Sequence, residues 1–412
     1  MKGKYLVFLV VLFISVNFIL INNYNLILIK YQNYERLSTS DLVILLEIDG
    51  NQELAAYCYD GVNNGSSWDS AYIIENFTAS NVFQGIWIKN TNKYLIIQNC
   101  VINNDTYGIM LDDCESIRLI NCTFNYCSVG IQIDGTNYGI DIHKCAFYDG
   151  GYGCELRGVS NVRITDSIFY GYYCGVNLQG DHTIITNSSF YNSYTVGISI
   201  YGLNNTLSNN NFIFGSMGLR VSGIFNKIIN NTIKSVNYTG IYVDNRRNLI
   251  SYNDIVNCSS DGIYLDASFI DWGIYNIASY NTIIFNNISF NQGNGIYLKG
   301  IYSERLWRGT VYNDIINNTI TYNEQNGILL EYPSHNNIIH NNSLFFNQQY
   351  CIVDRGYDND YFQNRNCSIF YDPPMHGKFI PSYSVILILE LILVLSLLFV
   401  ITRLSKLKKF DF

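Results

Sequence analysis

A four-residue unit, in which glycine is followed by an apolar, a variable and a second apolar residue, recurs along most of the chain. It reads GIWI at Gly85 and GIML at Gly108, and it continues to GILL at Gly327, with a degenerate YCIV at Tyr350. The spacing is 21 to 23 residues, except for two steps of 33 and 32 residues. A unit this short cannot bury its own apolar face, so successive copies must stack on one another. The repeat therefore restricts the chain to solenoid folds.

A second motif, apolar-x-Asn-x-x-apolar or a close variant, occupies a constant place within the repeat. Like residues stack when coils lie about 4.8 Å apart, so the motif predicts an internal column of amides that bond to one another and to turn backbone. Glycine is expected where the chain turns without room for a Cβ. The asparagines of the motif are Asn99, Asn121, Asn187, Asn209, Asn231, Asn253, Asn286, Asn318 and Asn341.

Each repeat also contains two or three short segments in which apolar and polar residues alternate, as is typical of strands. Leucine-rich repeats would need a leucine framework, and β-propellers repeat at about 40 residues or more, so neither fits. We therefore predict an all-β fold, a parallel β-helix of about twelve coils over residues 66–356. The preference of parallel crossovers makes it right-handed.

The two ends of the chain indicate a membrane. Residues 1–23 contain an apolar run preceded by Lys2 and Lys4, which is typical of a signal peptide or an N-terminal anchor. Residues 384–402 are apolar and long enough to cross a bilayer as a helix, and residues 403–412 form a basic tail. Basic residues stay on the cytoplasmic side, so we expect the tail in the cytoplasm and the bulk of the chain outside the cell membrane.

The segments between the ends and the repeats are interpreted as caps, because a solenoid must cover its terminal edges. Residues 24–65 would form a linker and an N-terminal cap, and residues 357–383 a C-terminal cap and a membrane-proximal stalk. The net charge of −8 argues against a nucleic-acid partner, since binding phosphates requires a basic face. An aromatic content of 15% argues against intrinsic disorder.

The GI-x-[IVL] tetrads and the asparagine-rich turns resemble the repeats of the NosD-type periplasmic proteins and of the wider pectin-lyase-like superfamily. The resemblance covers about residues 70 to 355. It implies a β-helix that binds or cleaves carbohydrate, in a superfamily that includes lyases, hydrolases, epimerases and non-catalytic surface proteins. The NosD likeness also implies copper-site maturation. The five histidines are scattered without ligand spacing, and we assign no metal ligands.

Within each tetrad the second and fourth residues should point inward, so the third residue and the residue after the tetrad should point outward. The third-residue column is Trp87, Met110, Gln132, Glu155, Asn177, Ser199, Arg220, Tyr242, Tyr264, Tyr297, Leu329 and Ile352. The next outward column is Lys89, Asp112, Asp134, Arg157, Gln179, Tyr201, Ser222, Asp244, Asp266, Lys299, Glu331 and Asp354.

A first cluster in these columns is a candidate catalytic site. Its members are carboxylates and one arginine from three consecutive coils. Carboxylates about 5 Å apart can share a Ca²⁺ ion or act as an acid/base pair, and arginine can neutralise a uronate. The alternative is that these four residues belong to an ordinary solvated surface without a site. The residues are Asp112, Asp134, Glu155 and Arg157.

A second cluster is a candidate ligand-binding strip of aromatic and charged residues, followed by the two long insertions. Exposed aromatics beside charged groups can hold sugar rings, and long loops often carry recognition. The alternative is cross-coil aromatic packing that stabilises the sheet. The residues are Tyr242, Asp244, Tyr264, Asp266, Tyr297 and Lys299, with Trp272 and Trp307 on the insertions.

Cysteine and asparagine patterns add two expectations. Cys100, Cys122 and Cys145 share one repeat position, and stacked free thiols are favoured over a disulfide because in-register strands aim their Cβ vectors alongside each other. Thirteen Asn-x-Ser/Thr motifs could be glycosylated outside the membrane. Those within the asparagine column, at Asn121 and Asn187, are expected to be buried and unmodified.

The sequence thus favours a membrane-anchored, extracytoplasmic β-helix that binds glycan or a surface partner without catalysis. A polysaccharide lyase or glycoside hydrolase that uses the first cluster is the first alternative. A NosD-like copper maturation role is the second alternative. No cofactor is expected apart from the Ca²⁺ considered above.

Overall fold

The tetrads wind into a single solenoid. The computed structural model describes residues 43–267, 277–303, 306–365, 367 and 369–372, without the side chains of residues 302, 303, 306 and 307. The chain forms an all-β, right-handed parallel β-solenoid of about 13 turns, which confirms the predicted fold class. The turn beyond the twelve expected arises because Ile44–Asp49 pairs in parallel with Gln84–Thr91, the strand of the first tetrad.

Each coil contributes strands to three parallel sheets, which we call the front, second and third sheets. The front sheet contains the tetrads and consists of Ile44–Asp49, Gln84–Thr91, Tyr107–Ile120, Val129–Asp134, Ala146–Ser160, Ile168–Asp181, Ser189–Ile200, Asn211–Val221, Ile241–Val243, Ile263–Leu265, Ile296–Leu298, Ile328–Leu330, Ile352–Asp354 and Ile369–Tyr371. Five of these strands are long enough to bend round a corner into a neighbouring sheet. They are Tyr107–Ile120, Ala146–Ser160, Ile168–Asp181, Ser189–Ile200 and Asn211–Val221.

The other two sheets are built from shorter strands. The second sheet adds Tyr72–Glu75, Leu95–Gln98, Tyr138–His143, Arg163–Thr165, Ile184–Thr186, Thr206–Ser208, Lys227–Ile229, Leu249–Ser251, Thr282–Ile284, Asp314–Ile316, Ile338–His340 and Asp360–Phe362. The third sheet adds Thr78–Ser80, Val101–Asn103, Thr123–Asn125, Thr232–Lys234, Asp254–Val256, Asn287–Ser289, Thr319–Thr321 and Ser343–Phe345.

Little of the described chain lies outside these sheets. An α-helix, Gly50–Tyr57, places Leu54 in the core at the N-terminal end, and Trp68–Ser70 is one turn of 3₁₀-helix. The second insertion forms an antiparallel hairpin of Ile301–Ser303 and Leu306–Arg308. Most of the first insertion, residues 268–276, lies outside the described residues.

The core is a set of stacks in which like residues lie on like. Five phenylalanines of consecutive coils stack with ring centroids 4.5 to 4.9 Å apart and ring planes within 10° of parallel. Above them the same position is held by isoleucine, beginning at Ile233. The stacking follows from a constant repeat length, because each residue then meets its counterpart one coil away. The phenylalanines are Phe124, Phe147, Phe169, Phe190 and Phe212.

The corner between the second and third sheets, which we call the back corner, contains the predicted internal column of amides. Asn253 is 1% exposed, and its Oδ1 accepts the backbone N–H of Asn231 at 2.9 Å. Its own N–H donates to Oδ1 of Asn286 at 2.9 Å, and this pattern repeats through the following coils. Each side chain thus satisfies turn backbone in the coil before it.

The motif that predicted this column mixed two positions, and five of its nine asparagines were placed wrongly. At each back corner one residue takes the left-handed conformation and points outward, and the next residue points inward. Asn121 (φ 51°) and Asn187 (φ 53°) take the outward position and are exposed, so the expectation that they are buried is wrong. Asn99, Asn209 and Asn341 are also left-handed. Asparagine suits both positions, because its short amide tolerates positive φ as well as burial with hydrogen bonds.

The inward position of the back corner changes residue type along the solenoid. It is cysteine, then serine, then asparagine from Asn210 onward. Cys100, Cys122 and Cys145 are buried free thiols, as predicted. Near the other end Cys351 and Cys367 form a disulfide, which the spacing of the cysteines did not predict.

The tetrad glycines serve close packing rather than turning. A Cβ on Gly130 would lie 2.7 Å from the carbonyl oxygen of Gly153 in the next coil and 2.8 Å from the Phe147 ring. Its φ is not in the left-handed region, unlike that of Gly135. The expectation that these glycines mark turns is therefore wrong, because the space beside them is filled by the adjacent coil.

The last tetrad is displaced by one residue from the predicted alignment. Ile352 pairs with Ile328, and Val353 pairs with Leu329, so Val353 rather than Ile352 continues the outward column. Asp354 pairs with the inward Leu330 and is 5% exposed, so it does not belong to an outward column.

The described residues contain no helix that is both long enough and apolar enough to span a bilayer. The membrane segments predicted at 1–23 and 384–402 lie outside the described residues. The described residues up to Tyr371 belong to one unit, and Asp372 is the one described residue of a second unit.

Candidate ligand-binding site

The two outward columns run side by side along the front sheet. Strand pairing places their members in register from coil to coil, as with Asp112 and Asp134 or Tyr264 and Tyr297. The columns were therefore predicted correctly up to the last tetrad. Their exposure is uneven, because long side chains of one coil cover short ones of the next.

The first cluster forms a chain of ion pairs. Nη2 of Arg157 lies 2.7 Å from Oε1 of Glu155, and its Nη1 lies 3.9 Å from Oδ2 of Asp134. Glu155 is only 6% exposed. Its hydrogen bond to the Arg157 guanidinium raises the pKa of that arginine, against the opposing effect of burial. The Glu155 carboxylate is thus held by a cation of its own coil.

Asp112 sits apart from that ion pair. Nε1 of Trp87 donates to its Oδ2 at 2.6 Å. Burial raises the pKa of Asp112, the Trp87 hydrogen bond lowers it, and the charge of Asp134 raises it further. Asp134 accepts a hydrogen bond from the Gln132 amide. Across the described part of the chain, no group of three or more His, Cys, Asp or Glu side chains is placed to hold a metal ion.

The second cluster is packed more tightly than an open strip. The Tyr242 and Tyr264 rings stack with centroids 5.4 Å apart, and Tyr297 meets Tyr264 edge to face at 4.9 Å. The hydroxyl of Tyr242 donates to Oδ2 of Asp266 at 2.6 Å. Neighbouring rings cover the ring faces, so the strip presents mainly ring edges to a ligand.

The charged members of this cluster differ in exposure. Asp244 is 1% exposed and Asp266 is 4% exposed, although both were expected to point into solvent. Side chains of adjacent coils cover them, since Arg220 lies over Asp244 and Tyr242 over Asp266. Lys299 is half-buried, with Nζ 5.9 Å from the Tyr264 ring centroid. Trp272 and the side chain of Trp307 lie outside the described residues.

A groove of about 570 Å³ lies between the two clusters. Its floor is formed by front-sheet residues of three consecutive coils, Asn177, Ser199 and Arg220, which pair in register. Gln179 and Tyr201 flank the floor in the second outward column. The other wall comes from the corner between the third and front sheets. It consists of Tyr152, Tyr173, Cys174, Thr195, Val196 and Met217.

Arg220 is the cation of this groove. Its guanidinium is held in place by Ser222 of the same coil and Asp244 of the next coil. Its Nη2 donates to Oδ2 of Asp244 at 3.2 Å, and its Nε donates to Oγ of Ser222 at 3.2 Å. Ser222 also donates to Asp244 at 3.0 Å. Burial raises the pKa of Asp244, against these hydrogen bonds and the Arg220 charge. The guanidinium is therefore oriented by a buried carboxyl before any ligand arrives.

Ser199 supplies an unsatisfied polar atom in the groove floor. Its side chain is 5% exposed, and its Oγ is buried without a hydrogen-bond partner. A buried hydroxyl without a partner costs free energy.

The sequence placed the floor residues in the outward columns but did not select them. The most strongly charged and aromatic residues of these columns lie in the clusters on either side of the floor. The wall tyrosines precede the tetrads, in the segments DGGYG at Asp149 and GYYCG at Gly171. Tyrosine beside glycine at two successive corners was the available signal for this wall.

Comparisons with known proteins agree with this architecture. The family model described as "Right handed beta helix region" matches residues 38–181 and 218–371. The model described as "Periplasmic copper-binding protein (NosD)" matches residues 139–276. No curated protein sequence matches the chain significantly.

Solved structures with a similar backbone include enzymes that act on polysaccharides. The periplasmic alginate epimerase AlgG has a TM-score of 0.55 at 12% identity, covering 80% of this chain and 84% of that one. A mannuronic acid specific polysaccharide family 6 lyase from human gut microbiota has a TM-score of 0.51 at 13% identity, covering 79% and 83%.

The A-module of the mannuronan C-5 epimerase AlgE6 from Azotobacter vinelandii has a TM-score of 0.50 at 12% identity, covering 70% of this chain and 91% of that one. At such identities the likeness shows the fold alone. The family match, by contrast, spans well over half of the chain and agrees with the observed solenoid. The chain therefore belongs to the right-handed β-helix family.

Proposed function

We propose that the protein is a membrane-anchored, extracytoplasmic β-helix that binds an acidic glycan in the front-sheet groove without turning it over. The match to a family model described as periplasmic supports the location. The apolar segment 384–402, followed by the basic residues 403–412, supports a C-terminal anchor. Residues 357–383 would then serve as cap and stalk, and residues 1–23 as a signal peptide or a second anchor.

The pre-oriented arginine beside an unsatisfied hydroxyl carries this proposal. Arg220 is held by Asp244 in an orientation that leaves it lining the groove, and guanidinium binds carboxylate strongly. Oγ of Ser199 lies in the same floor and lacks a partner. Tyr152, Tyr173 and Tyr201 provide amphipathic walls that suit sugar rings and hydroxyls. A sugar that bears a carboxylate matches the guanidinium and the tyrosine walls.

The nearby carboxylates already take part in an ion pair or a hydrogen bond, which favours binding over catalysis. Glu155 is paired with Arg157, and Asp112 accepts from Trp87, so neither is a free acid or base facing the groove. The polysaccharide lyase or hydrolase remains a second candidate, because burial raises the pKa of Asp112 beside Asp134 of the next coil. Such a carboxyl can act as a general acid. For the copper maturation role, the NosD match over 139–276 is the supporting observation.

The groove can be tested by measuring glycan binding to the full chain in detergent. We expect Arg220→Ala to weaken binding of acidic oligosaccharides at least about tenfold, since a charge-assisted bond contributes roughly 1.5–3 kcal/mol. Arg163→Ala, which removes a guanidinium from a second-sheet side chain that is 60% exposed, is the matched control and should bind normally. Loss of binding in Tyr264→Ala and Tyr297→Ala, with no effect of Arg220→Ala, would move the site to the second cluster.

The enzyme alternative is tested with the same protein against a panel of polysaccharides. Product formation that disappears in Glu155→Ala or Asp112→Asn would replace the binding proposal with a catalytic one. Glycan binding without product, unchanged in those variants, is the expected result.

A further inference from the structure

Six Asn-x-Ser/Thr motifs in the described chain fall at one structural position, the left-handed residue of the back corner. In each of them the asparagine points outward, the middle residue points into the core, and the serine or threonine opens the next strand with its side chain outward. Four of the asparagines are exposed, and Asn317 and Asn341 are half-buried. The asparagines, all with φ between 51° and 56°, are Asn76, Asn121, Asn187, Asn230, Asn317 and Asn341.

The corner between the front and second sheets is a natural control for this pattern. It has the same backbone, with a left-handed residue followed by an inward asparagine, for example at Asn204, Phe225 and Tyr280. Among the described coils this corner completes an Asn-x-Ser/Thr motif only at Asn204. The motif is therefore not a mere by-product of corner geometry. The corner between the third and front sheets carries three further exposed motifs, at Asn104, Asn237 and Asn257, against six at the back corner.

The back corner lies opposite the front sheet in every coil, because the chain passes from the front sheet to the second sheet, round this corner and into the third. None of the described motifs places its asparagine in an outward column of the front sheet. Groups attached to the six asparagines would project away from the groove.

We propose that the back corner is a modification site that carries N-linked oligosaccharides, which project away from the front-sheet groove. The donor would be a lipid pyrophosphate-linked oligosaccharide, used by an oligosaccharyltransferase. A bond forms between asparagine Nδ2 and sugar C1, the bond from C1 to the pyrophosphate oxygen breaks, the amide loses one proton to the enzyme's base, and the lipid pyrophosphate leaves. The inference rests on the extracytoplasmic placement in the proposed function, but not on the groove.

Hydrogen bonding and crowding distinguish the six positions. Asn187 only accepts a bond with its Oδ1, from Oγ1 of Thr186 at 3.5 Å, so the Nδ2 of this exposed residue makes no bond with the described chain. Asn317 and Asn341 lie in adjacent coils, and the Asn341 amide donates to Asn317. Two oligosaccharides about 5 Å apart would collide, so we infer that this pair carries at most one.

The test is mass spectrometry of peptides from the full-length protein, purified from the membranes of the cells that make it. Peptides with Asn187 should carry sugar masses, and those with Asn317 and Asn341 should never carry two. Ser189→Ala removes the motif but keeps the asparagine, so its glycan should vanish, and Ser189→Thr should restore it. Ser189 is the half-buried first residue of its strand, which limits the structural effect of both changes.

Two readouts separate this inference from the proposed function. Protease added to cells whose outer envelope has been permeabilised, with the cell membrane left intact, should cut the solenoid if it is extracytoplasmic. Six unmodified peptides in a protein that is cut in this way would overturn the glycan proposal alone. Protection from the protease would overturn the placement together with it. Enzymatic deglycosylation should leave binding in the groove unchanged, and a loss of binding would contradict the inference that the glycans project away from it.

Discussion

The internal amide column of the back corner should contribute measurably to stability, and Asn253→Ala is the sharpest perturbation of it. Asn253 is almost fully buried, with its Nδ2 donating to the Ile228 carbonyl and to Oδ1 of Asn286, both at 2.9 Å. Its Oδ1 accepts the backbone N–H of Asn231. Alanine keeps the backbone bonds and removes all those made by the side chain.

The cost can be worked out from the groups left behind. The backbone N–H of Asn231 loses its acceptor, Oδ1 of Asn253, and the Ile228 carbonyl loses the hydrogen bond from Nδ2 of Asn253. A buried polar group without a partner costs about 1–3 kcal/mol. The Ile228 carbonyl stays in the ladder with Leu249–Ser251, so the Asn231 N–H is the group left unpaired and we expect a loss of about 1–3 kcal/mol. The matched control is Asn211→Ala, the same chemical change at an exposed strand position, which should change stability by less than about 0.5 kcal/mol.

The assay is native-state hydrogen exchange combined with denaturant unfolding, because a solenoid need not unfold in one step. In Asn253→Ala, we expect protection to fall first in the coils that contain Asn231, Asn253 and Asn286. The unfolding midpoint should decrease, whereas Asn211→Ala should resemble the unmodified protein. Equal effects of the two substitutions would refute the argument that the column satisfies buried backbone.

Three further changes probe the other packing features. Gly130→Ala should destabilise by about 1–3 kcal/mol, because its Cβ would overlap the Gly153 carbonyl of the next coil; thermal unfolding measures this, and a neutral result would contradict the close-packing role. Cys351→Ser, which opens a disulfide with Cys367 at a separation of 16 residues, should destabilise the last coils by about 3 kcal/mol, whereas exchange in the first coils should not change. Burial raises the pKa of Asp105 to about 6, so the stability it provides is full below pH 4 and is lost as pH rises through 6. Asp105→Asn should therefore raise the unfolding midpoint at pH 8 more than at pH 4, and an equal effect at both would argue against a buried, ionising carboxyl.

Much of the architecture followed from the sequence because a solenoid repeats one local environment. Once the tetrad spacing is known, adjacent coils must align, and pairs such as Tyr264 and Tyr297 follow directly. The inward and outward alternation of the tetrads follows from strand geometry alone. The predicted alignment failed at the last tetrad, because Cys351 stands where glycine marks the start of the other tetrads.

The tertiary structure alone decided the details that depend on neighbouring coils. Whether an asparagine points in or out at the back corner depends on which residue takes positive φ, and two adjacent asparagines are locally equivalent. Burial of Asp244 depends on the reach of Arg220, one coil away. The groove depends on corners that raise Tyr152 and Tyr173 beside the floor. Sequence periodicity therefore determined the solenoid and the order of its outward columns, whereas side-chain contacts between coils decided which column residues line a site.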